Sequence, residues 1–189
     1  MERNSQDKIG YQIESQIREA YGRVTYSQTC RDKLIHRLET LNSRIKLWQI
    51  ILSALTTGSI ITTLLSNKTA ATILAAILST ILLVLNSYAK NFELIEKSNK
   101  HKSASDLLWK IREEYVSLLT DFEDLTLEEI REKRDDLQQR THEVYLNYPR
   151  TDSKSYQLAQ RALKTEEEQT FSDSEIDVML PNSIRRTNR

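Results

Sequence analysis

The sequence predicts an all-α membrane protein, a two-helix transmembrane hairpin carried on long cytoplasmic helices. Three observations predict it. Two runs of residues without a charge, 47–67 and 69–89, flank a single lysine, Lys68, in a chain of which 29% is charged. At that density a given window of this length escapes charge with a probability of about 0.001, and each run meets the ~20 residues that span the hydrocarbon of a bilayer. Only three Gly and two Pro occur in 189 residues, so there is little punctuation to end a helix. Apolar residues on both sides of the hairpin recur at steps of three and four, the period of a helix face.

Taken in order, residues 1–46 form an N-terminal cytoplasmic helical segment. Ile13, Ile17, Tyr21 and Val24 make one apolar stripe. Leu34, Leu38, Leu41, Ile45 and Trp48 make a second, in heptad-like spacing. The two stripes lie on one long helix or on a helix broken near Gly22. Residues 47–89 are the hairpin. Its first run holds nine Leu and Ile with Trp48 at the entrance, and its second holds nine Leu, Ile and Val with Tyr88 near the exit. Trp and Tyr favour the membrane interface, where a ring sits half in each phase. A core helix of a small soluble protein would show a charged face, and neither run has one. The stretch "SNKT" is then the tip of the hairpin. Residues 90–165 are a cytoplasmic helical region, opened by the stripe Ala104, Leu108, Ile111, Tyr115, Leu118 and Phe122. Thr126 with Glu129 reads as a capping box that starts another helix, ended near Pro149. "SKSYQLAQRALK" is a shorter helix. Residues 166–189 are a tail in which "EEE" is solvated, Ser172 and Glu175 form a second capping box, and Pro181 stops the short helix begun there.

Charge sets the expected orientation. Arg31, Lys33, Arg37, Arg44 and Lys46 precede the hairpin, Lys90, Lys97, Lys100 and Lys102 come after it, and the loop has only Lys68. The positive-inside rule then puts both termini in the cytoplasm. The polar start "MERNSQDKIG" predicts no cleavable signal peptide. A lone cysteine, Cys30, forms no disulfide within the chain. Zero net charge gives no ground for direct nucleic-acid binding.

No constellation of residues points to catalysis, a metal or a cofactor. His36, His101 and His142 are scattered, and there is no phosphate loop or nucleophile elbow. The acidic pairs Glu113–Glu114 and Asp135–Asp136 read as solvated helix faces. No acid or base lies inside the membrane runs, which argues against a proton-coupled transporter or a voltage sensor. The polar positions there are the candidate site: Gln49, Ser53, Thr56 and Thr63 on the first helix, and Thr72, Ser79 and Asn86 on the second. They read either as glue for close helix packing or as the lining of an oligomeric pore. Small residues every four positions, Ala54, Gly58, Thr62 and Ala71, Ala75, Ser79, favour packing. The stripe of Leu108, Ile111, Tyr115, Leu118 and Phe122 packs either on helices of the same chain or on other copies, so a homo-oligomer is expected.

A basic helix running into a tight two-helix hairpin, with a long helical region after it, resembles the SLATT domain family, two-transmembrane effectors of bacterial conflict systems. The resemblance covers about residues 10–165. The tail "RALKTEEEQTFSDSEIDVMLP" looks more specifically like SLATT family five, whose members accompany reverse transcriptases. The resemblance implies an effector of the bacterial inner membrane in anti-phage defence, which forms a pore or otherwise disrupts that membrane when triggered and ends an abortive infection. Its partners would be the lipid bilayer, further copies of itself, and a reverse transcriptase or a nucleotide-signalling sensor upstream. The family has no catalytic residues to carry over. Two other readings fit the same layout: a membrane anchor or scaffold that recruits a cytoplasmic partner, and a holin-like lysis protein, although holins are usually shorter.

Overall fold

The computed structural model describes residues 2–66 and 69–186, and every described element is a helix. In order these are α1 (Glu2–Ser66), α2 (Thr69–Phe92), α3 (Leu94–Thr120), α4 (Leu127–Asn147), α5 (Ser153–Lys164) and α6 (Asp173–Met179), with a short 3-10 turn at Asn182–Ile184. The hairpin tip at Asn67 and Lys68 lies outside the described residues, but α1 ends just before it and α2 starts just after.

The 65 residues of α1 run without a break through Gly22, a rod of about 97 Å at 1.5 Å per residue. Of the two arrangements open to the N-terminal stripes, the single helix is the one observed. Beyond the tip, α2 and α3 come back along α1 as almost one rod. The only interruption is Glu93, at φ 42° and ψ 45°, a left-handed conformation that costs a non-glycine residue roughly 1 kcal/mol or more. The helix restarts at once, with the Lys97 N–H donating to the Glu93 carbonyl at 2.9 Å. Cross-bonds mark the antiparallel register: Gln49 donates to Asn86 (2.8 Å), Ser98 to Glu39 (3.4 Å) and Ser105 to Asp32 (2.5 Å).

Two apolar clusters hold the part outside the hairpin together. The larger joins Ile13, Ile17, Ala20 and Val24 of α1 to Ala104, Leu108, Ile111, Tyr115 and Leu118 of α3 and to Ile130, Leu137 and Val144 of α4. The smaller, next to the hairpin, joins Leu34, Leu38 and Ile45 to Leu94. At about 1.5–3 kcal/mol for each fully buried large aliphatic side chain, the larger cluster is the main stabiliser of the head. Phe122 packs against its edge, while Leu41 and Trp48 stand out of the smaller one, exposed at 38% and 56%.

Local chemistry sets the remaining boundaries. Thr126 and Glu129 form the predicted capping box of α4, and α4 ends at Asn147, just before Pro149. Arg140 of α4 clamps Glu114 of α3 at 2.5 and 2.7 Å. The Asp152 side chain caps α5 by accepting from the Ser155 N–H at 2.7 Å. Ser172 and Glu175 cap α6. Lys33 holds Glu168 at 2.7 Å and Arg161 holds Glu166 at 2.8 Å, so two of the three glutamates of the "EEE" stretch tie the tail down.

Candidate functional site: the hairpin and the polar layer beside it

The hairpin is two helices long and apolar enough to cross a membrane. Its 18-residue apolar windows are buried at 11% of positions on α1 and 0% on α2. The core helix of a soluble protein would be mostly buried, and these two are not.

The two helices meet along a heptad-like seam. Ile45, Gln49, Leu52, Thr56, Ser59 and Thr63 of α1 are buried or half-buried, as are Ala71, Ala75, Leu78, Leu82, Leu85 and Ala89 of α2. Steps of four and three on both helices keep the same faces in contact as they run antiparallel. Two of the predicted polar positions, Thr56 and Thr63, therefore sit against the partner helix. Their hydroxyls donate back to the carbonyls of Leu52 (2.8 Å) and Ser59 (2.9 Å). This backbone bonding satisfies a hydroxyl without water or lumen.

The other predicted positions gather on one side of the hairpin. Gln49 and Asn86 are joined across it at 2.8 Å. Ser53 lies one turn from Gln49, and Ser79 and Thr72 lie two and four turns from Asn86, so all three continue the same edge. Ser53, Thr72, Ser79 and Asn86 are exposed. At 100° per residue, Leu55 and Thr62 fall on the opposite flank of α1, and Ile81 and Tyr88 on that of α2; these too are exposed. Of the small residues, Ala71 and Ala75 face the seam, whereas Ala54, Gly58 and Thr62 point outward.

Between the two apolar clusters lies a polar layer that the sequence analysis does not single out. Thr29, Arg31, Ser98, His101 and Ser105 are all buried there. Arg31 donates to the Pro149 carbonyl at 3.1 Å, its Nη1 stands 3.3 Å from His101 Nδ1, and no carboxylate pairs with it among the described residues. Arg31 Nε and His101 Nε2 are buried without a hydrogen-bond partner. Burial, and then the Arg31 charge, hold the His101 imidazole neutral, with its pKa pushed down to about 4. Burial raises the Asp32 carboxyl against the opposing Ser105 hydrogen bond, and pushes the Cys30 thiol up to about 11, so Cys30 is an unreactive core thiol. The sequence does carry a signal for this layer: Gln28 and Arg31, and Ser98 and His101, stand where the three–four apolar period calls for a hydrophobic residue.

The long stripe of α3 is buried within the chain. Leu108, Ile111, Tyr115 and Leu118 are at most 4% exposed, covered by α1 and α4. Among the described residues no group of three or more His, Cys, Asp or Glu could hold a metal ion.

The family model of the SMODS and SLOG-associating 2TM effector domain family 4 (SLATT family 4) matches residues 13–175. No curated protein and no solved structure matches the chain. The resemblance to SLATT domains therefore holds, but the match is to family 4; the assignment to family five, read from the tail, is not supported. From Ile176 onward that tail lies beyond the match. The link to a reverse transcriptase rested on family five and loses its footing with it.

Proposed function

We propose that this chain, which belongs to the SMODS and SLOG-associating 2TM effector domain family 4, is a defence effector that breaches the bacterial inner membrane when several copies gather. The observation that carries this reading is that one edge of the hairpin is richer in polar groups than the rest of its surface, where the exposed Thr57, Thr62 and Thr80 hydroxyls bond back to their own helices. Ser53, Thr72, Ser79 and Asn86 are exposed along one edge, where the half-buried Gln49 reaches from the seam to bond Asn86. Polar groups facing lipid gain no partner, whereas the same groups turned toward water or toward another hairpin keep their hydrogen bonds. Two helices enclose no lumen, so a path lined by this edge needs a homo-oligomer.

The lining set differs from a plain polar count. Thr56 and Thr63 sit in the seam and serve packing. Ser53, Thr72 and Ser79 face outward and are the residues for the path. Thr72→Val with Ser79→Ala removes two hydroxyls and is no worse in lipid, so insertion is preserved. Thr62→Val removes a hydroxyl from the opposite flank and is the control. The assay is membrane potential and dye entry in bacterial cells expressing the chain together with the genes beside its own. The first variant should lose most of the depolarisation and the control should keep it. Equal depolarisation by both would sink the assignment of this edge to the path.

A second reading, a membrane anchor or scaffold, is favoured by the tail. Phe171, Val178 and Met179 are each more than 60% exposed, a surface suited to holding a partner. If the unmodified chain never depolarises cells with its neighbouring genes present, this reading replaces the first. A holin-like lysis role fits less well, because α1, α3 and α4 build a packed head that a bare lesion would not need.

A further inference from the structure

We propose that the groove beside α1 just outside the hairpin is a binding site for the headgroup of an anionic phospholipid; this rests on the hairpin lying in a bilayer. The groove has a volume of about 400 Å³. Its floor is apolar, made by the buried Leu34 and Leu38 with Leu41 at the edge, and cations line it: Arg37, Arg44, Lys97 and Lys154, with Asp152 the one acid. Asp152 is already engaged, since Arg37 donates to it at 2.7 and 2.8 Å. Arg44, Lys97 and Lys154 have no salt-bridge partner among the described residues. The groove therefore offers uncompensated positive charge over an apolar floor, the complement of a phosphate carried on acyl chains.

Its lower end reaches the level of a lipid headgroup. Helix α1 runs straight from Leu34 into the hairpin. Arg44 stands three residues and Leu41 six residues before residue 47, which at 1.5 Å per residue is about 5 and 9 Å above the edge of the apolar run. The headgroup layer is roughly 5–8 Å deep on each side of the hydrocarbon. Lys97 starts higher, about 12 Å above that edge, because its neighbour Ser98 bonds Glu39, eight residues before residue 47, and a lysine stem is long enough to bring the ammonium down toward the layer. The lower end of the groove, at Arg44, thus lies at headgroup depth, and Leu41, 38% exposed, stands just above the layer. Basic pockets at this position are what headgroups of anionic lipids fill. Such a lipid would bridge α1 and α3 at the foot of the head, where the smaller apolar cluster meets the hairpin.

The test uses the full chain in vesicles of phosphatidylethanolamine and phosphatidylglycerol, extracted and read by native mass spectrometry. The expected result is retained phosphatidylglycerol in preference to phosphatidylethanolamine. Arg44→Gln with Lys97→Gln should lower that retention by about five-fold for each charge removed. Both side chains are exposed and unpaired, so the fold should be kept, which thermal unfolding checks. Lys110→Gln with Arg131→Gln removes the same charge elsewhere on the head and should change retention by less than about two-fold. Equal loss in both double variants, or none in either, overturns the site. Soluble glycerol phosphate should not displace the lipid; displacement would overturn the lipid assignment in favour of a simple anion. Flotation with neutral phosphatidylcholine vesicles reads the hairpin separately. A chain that does not float overturns the bilayer reading and the site together, whereas one that floats but shows no anionic preference overturns the site alone.

Discussion

His101 and Gly22 show how single positions set the stability of the head. His101 is fully buried and kept neutral beside Arg31. Its pKa of about 4 in the folded chain lies below the ~6.5 of an unfolded histidine. The unfolded state therefore binds the proton more tightly, and its stabilising contribution is full above about pH 6.5 and lost as pH falls from there through 4. At about 1.4 kcal/mol per unit the window is worth roughly 3 kcal/mol. Asp32, whose carboxyl is raised by burial, acts in the opposite direction, so the histidine must be isolated by substitution. The melting temperature in detergent should fall between pH 6.5 and 4.5 for the unmodified chain, and markedly less for His101→Gln; parallel pH profiles would remove His101 from the account. Gly22 is simpler. It sits inside α1, and a Cβ built there meets nothing within 4 Å. Gly22→Ala should stabilise the head by about 0.5–1 kcal/mol, since glycine loses more backbone entropy in a helix. A lower melting temperature would mean that α1 bends at Gly22 in solution.

At the scale of the element, helix faces were legible wherever burial tracked an uninterrupted period. The stripe of α3, the capping boxes of α4 and α6 and the bounds of α5 all stand in the letters, because each depends on neighbours three or four residues apart. What the letters did not carry was which surface meets which. The same apolar period suits a partner helix in the chain or in a second copy, and only the return of α3 along α1 decides between them. The consequence is a changed expectation for Ile111, 2% exposed between α1, α3 and α4. Ile111→Glu puts an unpaired carboxyl into a packed core at a cost of about 3 kcal/mol or more. It should unfold the head before it touches any contact between copies, which limited proteolysis reads directly. A chain that stays protease-resistant but loses oligomers would return the stripe to the assembly surface. The bend at Glu93 was equally hidden, because the left-handed turn falls on an ordinary residue and not on a glycine. In the hairpin, seven polar positions looked like two equivalent stripes. The Gln49–Asn86 bond and the half-buried Thr56 and Thr63 divide them into a seam and an edge.

For the whole molecule, the rod formed by α1 against α2 and α3 makes the head and the hairpin one continuous body. The seam of the hairpin passes into the Leu34–Leu38–Ile45 cluster, then into the polar layer, then into the main core. Among the described residues the return from hairpin to head is interrupted only at Glu93, between α2 and α3. The polar layer is the least favourable stretch of the interface, since it buries Arg31 without a carboxylate and leaves Arg31 Nε and His101 Nε2 unbonded. Because head and hairpin are continuous, the side of the membrane on which the head lies decides where any signal must arrive. Nine Lys and Arg flank the hairpin on the head side, from Arg31 to Lys46 and from Lys90 to Lys102, against Lys68 alone at the tip. That asymmetry predicts the head and both termini in the cytoplasm. In a Cys30→Ser background, a cysteine at Thr69 should react with a membrane-impermeant maleimide in intact cells, and one at Ser174 should react only after lysis. Thr69 is exposed beside the tip and Ser174 is exposed on α6, so access within the chain limits neither. The reverse labelling pattern would place the head outside the cell, and a cytoplasmic trigger could then not act on it.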